Sequence, residues 1–134
     1  MNKNILTIVI NAPVSIVFEF STNPNNTHKW FDAIIQEKTD TQKLSIGTLY
    51  SSTSDGLNWS SFKCVELVEN KLFVLNSVSG DYYVRYDFNE FENNKTILTY
   101  TEYMTDNMTV LESPFEQKYL DKLKNLIEEK YISL

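Results

Sequence analysis

The side chains best suited to chemistry in this 134-residue chain are carboxylates and tyrosines in its second half. Glu102 shares a strand parity with Leu98, Tyr100 and Met104, so an inward turn of that set carries the carboxylate into an apolar cleft. Burial there would raise its pKa and suit it to proton transfer. The competing reading puts Glu102 near the strand end, where twist or a bulge returns it to water. Glu90 poses the same choice on the preceding strand. Tyr82, Tyr83, Tyr86, Phe88, Tyr100 and Tyr103 crowd the same region, in a chain where 18 residues are aromatic. A tyrosine ring packs an apolar ligand while its hydroxyl orients a carbonyl or phenol; equally, such rings fill a core with hydroxyls at its rim.

The other reactive types lack partners in sequence. His28 stands beside Trp30 with no nucleophile-elbow motif, which makes it a surface histidine, and Trp30 a core plug. Cys64 lies on a strand with Lys63 alternating to the other face, so nothing stabilises a thiolate and it reads as a small apolar residue. Gly47, Gly56 and Gly80 stand singly, which gives no phosphate-cradling loop. Glu102 is therefore the one weak catalytic candidate.

The elements that must position these residues begin with a C-terminal helix, Ser113 to Tyr131. Ser113-Pro114-Phe115-Glu116 has the form of a capping box with proline at the first helical position. Phe115, Tyr119, Leu120, Leu123, Leu126, Ile127 and Tyr131 then occupy an arc of about 160°, wider than one sheet face needs. Lys118, Asp121, Lys122, Asn125, Glu128 and Glu129 lie opposite. At the other end, residues 5 to 10 read as a strand with both faces partly covered, Leu6, Ile8 and Ile10 on one side. Pro13 opens a short helix with Val14, Val17 and Phe18 on its apolar stripe, and Asn23-Pro24 caps and opens a second that reaches Trp30. Six strands are expected between: Ala33–Thr39, Thr48–Thr53, Leu57–Val68, Leu72–Ser79, Tyr82–Glu92 and Thr96–Thr105. The Leu57 strand is long enough to carry a bulge, which leaves the faces of Trp59 and Phe62 open.

Length fits one domain, 1–134, with a real core. Twelve basic and 18 acidic residues give a net charge of −6 without a basic cluster, which disfavours nucleic acid. One cysteine and one histidine are too few for an internal disulfide or a zinc site, and no metal or other cofactor is expected. A reducing compartment fits, and the expected location is cytoplasmic. Ile5 to Ile10 is too short for a signal segment, and no run approaches a membrane span. Asn-x-Ser/Thr patterns at Asn25, Asn58, Asn94 and Asn107 read as chance in an Asn-rich chain.

The string Ile8-Val9-Ile10-Asn11-Ala12-Pro13 with Val17-Phe18, then Asn23-Pro24 and Trp30, resembles the START-related, birch-pollen-allergen-like (SRPBCC) superfamily. Gly47-Thr48-Leu49-Tyr50, Tyr86-Asp87-Phe88 and Thr96-Ile97-Leu98-Thr99-Tyr100 extend the resemblance over nearly the whole chain, nearest the polyketide cyclase/dehydrase-type branch. The resemblance implies an α+β helix-grip fold, a bent seven-stranded antiparallel sheet around the long helix with two short helices closing one end. It also implies a cavity between sheet and helix for a lipid, polyketide or similar molecule, and catalysis as the exception.

The resulting expectation is binding of a small hydrophobic or aromatic ligand, with Tyr86, Phe88, Leu98, Tyr100, Trp59, Phe115, Tyr119 and Leu123 as its wall and Tyr50 and Phe62 as additions. One rival is a cyclase, aromatase or dehydratase that uses a cavity carboxylate or tyrosine. The other is a protein-interaction module like the chaperone ATPase activators, which predicts a filled cavity and an exposed apolar patch. A homodimer fits the same fold, with no residue pattern to argue it.

Overall fold

The computed structural model describes residues 2–106 and 108–132; Asn107, one of the four Asn-x-Ser/Thr sites, lies outside them. Strand β1 (Lys3–Ile10) is followed by helices α1 (Val14–Thr22) and α2 (Thr27–Trp30). Six strands then run in order, β2 (Gln36–Thr39), β3 (Leu49–Thr53), β4 (Trp59–Val68), β5 (Leu72–Ser77), β6 (Tyr82–Phe91) and β7 (Lys95–Met104), before helix α3 (Gln117–Ile132). All seven strands form one antiparallel sheet in the order β1-β7-β6-β5-β4-β3-β2. β1 and β2, neighbours in sequence, are thus the two edges, and α1 with α2 is the bridge between them.

Period-2 alternation sets one face of this sheet inward. Tyr82, Val84, Tyr86 and Phe88 on β6 and Leu98, Tyr100 and Glu102 on β7 turn toward the helices, where Leu120, Leu123 and Ile127 of α3 are fully buried. On the outer face Tyr83 and Tyr103 stack at 5.1 Å and Arg85 pairs with Asp87 at 2.9 Å. β1 has a single covered face, since Ile5 is 55% and Val9 38% exposed, contrary to the two-sided reading. The bulge expected in the long strand is present between Cys64 and Glu66. It shifts the parity, so that Phe62 and Cys64 before it and Leu67 after it all pack on the core.

Three helix starts differ from the sequence reading. Pro13 is extended (φ −60°, ψ 150°) and sits at the cap of α1. Asn23 does not cap α2 directly; its Oδ1 accepts the Asn25 amide at 2.9 Å in an intervening turn, and α2 begins at Thr27. The Ser113–Glu116 box is not formed either: α3 begins at Gln117, and the Phe115 amide donates to the Glu102 carboxylate. A buried carboxylate needs donors to offset its desolvation, and this bond fixes Phe115 to β7 just ahead of the helix.

The grip of helix on sheet is partly polar. The edge of β1 would present bare backbone groups, a liability for any edge strand. Gln117 Nε2 donates to the Thr7 carbonyl at 3.3 Å, Lys124 Nζ to the Val9 carbonyl at 2.7 Å, and Glu128 Oε2 accepts the Asn11 amide at 2.7 Å. Glu128, read from sequence as part of a solvated face, is therefore bound to the sheet. Burial works to raise its carboxyl pKa, but Lys124 and the Asn11 amide together hold it below the ordinary range.

Candidate functional site

A cavity of about 350 Å³ lies between the inner sheet face, α1, α2 and the segment leading into α3. Six strands contribute to it, from Glu37 on β2 to Glu102 on β7. Laid flat, six strands would span about 24 Å, so a chamber this small requires the sheet to curl around it. Ala33, Ser113, Pro114 and Glu116 are lining residues exposed to solvent and mark its mouth; Trp30, Phe73 and Tyr86 are buried and mark its interior.

The wall is a continuous run of aromatic rings. Tyr50 lies 5.5 Å from Phe73, Phe73 5.4 Å from Tyr86, and Tyr86 5.2 Å from Tyr100. Tyr100 stacks on Phe115 at 4.2 Å, and Phe115 and Tyr119 close on Phe31 at 5.1 and 5.0 Å. Ten of the 22 lining residues are aromatic. Burial raises the pKa of the Tyr50, Tyr82, Tyr86 and Tyr100 phenols, so each remains a neutral hydroxyl. That of Tyr50 donates to the Thr22 carbonyl at 2.6 Å and serves the fold.

Two carboxyl groups reach into this chamber with different hydrogen-bond partners. Glu102 is 2% exposed and takes three donors: Asn4 Nδ2 at 2.7 Å and the Phe115 amide on Oε2, and the Tyr82 hydroxyl at 2.7 Å on Oε1. Glu102 thus takes the inward of its two expected orientations, but its oxygens are occupied by groups that tie β1, β6 and the α3 approach together. Glu37 has one side-chain partner, the Thr27 hydroxyl at 2.5 Å. Burial pushes its pKa up to about 7 against the lowering pull of that hydroxyl, and none of the ion pairs among the described residues involves it. Glu37 is the cavity group able to exchange a proton near neutrality, and strand alternation alone gave no sign of it. In addition, the buried Ser21 Oγ and Trp30 Nε1 have no hydrogen-bond partner, and both residues line the cavity. Among the described residues no cluster of three His, Cys, Asp or Glu is placed to hold a metal.

No family model matches the chain, and no curated protein matches it in sequence. Solved structures do match in shape. Aha1 from Colwellia psychrerythraea, solved as a dimer, superposes with a TM-score of 0.72 at 18% identity over 96% of this chain and 97% of its own. CalU16 from Micromonospora echinospora gives 0.68 at 20% identity over 98% and 87%, and a Thalictrum norcoclaurine synthase point mutant in complex with a transition-state analogue gives 0.70 at 11% over 96% and 94%. The chain has the helix-grip fold. Identities this low carry the fold and no particular ligand or reaction.

Within the helix-grip chamber the expected wall residues divide. Tyr86, Tyr100, Phe115 and Tyr119 line the cavity, as do Tyr50 and Phe62. Phe88, Leu98 and Leu123 are buried in the solid core beside it, because the helix packs directly on that end of the sheet and leaves no room. Trp59 is a correction: it is 39% exposed under the Lys38 ammonium at 4.5 Å, ahead of the β4 bulge and off the cavity wall. Glu90 is exposed near the end of β6, past the inward-packed Phe88. Cys64 is buried with its thiol pushed up to about 11 by burial, unsuited to nucleophilic attack. Trp30 is both core plug and cavity wall. Among the described residues no helix is long and apolar enough to cross a membrane.

Proposed function

We propose that the protein binds a small hydrophobic or aromatic molecule in the chamber between the curled sheet and α3. The observation that carries this reading is the continuous run of aromatic rings lining about 350 Å³ of partly open space, with a mouth bounded by exposed residues. Packed cores avoid voids of this size, because lost dispersion contacts and unburied apolar area are destabilising. The rings make each other's contacts on one side and leave the chamber side for a guest. An interaction module would predict that space to be filled.

A second reading rests on Glu37. A carboxyl with a pKa near 7, free of charged partners inside an apolar chamber, is matched to moving a proton at neutral pH, so turnover of the bound molecule fits the same site. Native mass spectrometry of the protein exposed to a hydrophobic small-molecule extract tests both. A reproducible added mass on the wild type that is absent from Val84→Phe, which fills the chamber, is expected. Equal adducts on both proteins would refute the binding reading. Release of a changed mass by the wild type and not by Glu37→Gln would establish turnover; identical masses from both would dismiss it.

A further inference from the structure

The charge of the chamber narrows the guest. Its lining holds three acidic residues, Glu37, Glu102 and Glu116, and no Lys, Arg or His. Glu116 is exposed at the mouth beside Lys118 at 3.6 Å, and Glu102 is saturated by three donors, which leaves Glu37 as the carboxyl open to a ligand. The ring faces around it present negative quadrupoles. An anionic guest would meet these acids and faces with no countercharge, at a desolvation cost nothing repays. Cations gain on both counts, and a net charge of −6 draws them in.

We propose that the chamber takes an organic cation, an aromatic or branched alkyl ammonium, with the aromatic run as its cage and Glu37 as its counter-ion. This rests on the cavity-binding reading and narrows it. A substituted ammonium suits the site better than a bare one, since its charge is spread over methyl groups that the rings can cover and it needs few acceptors. Glu37 would ionise as the cation enters, so binding expels a proton near pH 7. The groups facing Glu37 are the Thr27 hydroxyl of α2 and the phenols of Tyr50 on β3 and Tyr86 on β6, and burial holds both phenols neutral in that range.

The test compares two probes of one shape, benzyltrimethylammonium and its uncharged isostere neopentylbenzene, by calorimetry on the wild type and on Glu37→Gln. The cation is expected to bind the wild type about 10- to 100-fold more tightly than the hydrocarbon. Glu37→Gln should lower that preference by about tenfold, the rings keeping their own share of it. On the wild type alone, cation binding at pH 7 should release a fraction of a proton, seen as a dependence of heat on the buffer's ionisation enthalpy. Equal or tighter binding of the hydrocarbon overturns the cation claim and leaves the cavity reading standing. Binding of neither probe overturns both.

Discussion

Tyr82 and Glu102 meet across the inner face of β6 and β7, with the phenol donating to Oε1 at 2.7 Å, while Asn4 and the Phe115 amide occupy Oε2. The carboxylate is a junction of four chain segments at the wall of the chamber. Removing it strands three donors in a site that is 2% exposed. Glu102→Ala is expected to lose roughly 2–4 kcal/mol in urea unfolding, whereas Glu102→Gln, which keeps an oxygen for Oε2, should lose about 1 kcal/mol. Equal stability of Glu102→Ala and wild type would contradict the junction.

Glu37 makes the fold sensitive to pH in the opposite sense from a salt-bridged acid. Its folded pKa of about 7 exceeds the unfolded value of 4.5, so the folded chain holds the extra proton between them. The contribution is fully present below pH 4.5 and is lost as pH rises to about 7. Relative to Glu37→Gln, the wild type should lose roughly 2–3 kcal/mol across that window. Parallel stability curves for the two proteins would show that the carboxyl ionises normally.

Ser21 carries a buried hydroxyl without a partner in α1. Ser21→Ala removes the orphan and supplies a better helix former, so the melting midpoint should rise, by about 0.5–1 kcal/mol in stability. A marked drop would mean the hydroxyl has a partner in solution.

Glu128 joins α3 to the β1 edge through the Asn11 amide at 2.7 Å and Lys124 at 2.5 Å. Because its pKa is held low, its contribution is present above the ordinary carboxylate range and fades as pH falls through its folded value. Glu128→Ala should cost about 1–2 kcal/mol at pH 7. It should also increase amide exchange at Asn11; unchanged exchange there would remove the clasp from the account.

The strand meander and the buried face of α3 were legible because each is written in a single periodicity: Val84, Tyr86 and Phe88 against Arg85 and Asp87, or Leu120, Leu123 and Ile127 along the helix. Helix starts were less so. Ser113 and Asn23 carry the right chemistry for caps, but the segment before α3 is held by Glu102, which takes the Phe115 amide from 13 positions away, a tertiary contact no local pattern records. The division between wall and core also escaped the sequence. Phe88 and Tyr86 share one face of one strand, and which of them borders space depends on where α3 lies across the sheet. Glu37 was hidden for the same reason. On a four-residue edge strand, GlnGluLysThr offers no apolar alternation, and its burial follows from α2 closing over it.

The most direct test of the chamber is a fluorescence titration with N-phenyl-1-naphthylamine, an uncharged apolar dye, against the wild type and Val84→Phe, with circular dichroism to confirm that both are folded. Saturable enhancement at one dye per wild-type chain, lost in Val84→Phe, is the predicted result. Unsaturable enhancement, or equal enhancement in both proteins, would contradict a ligand chamber inside this fold.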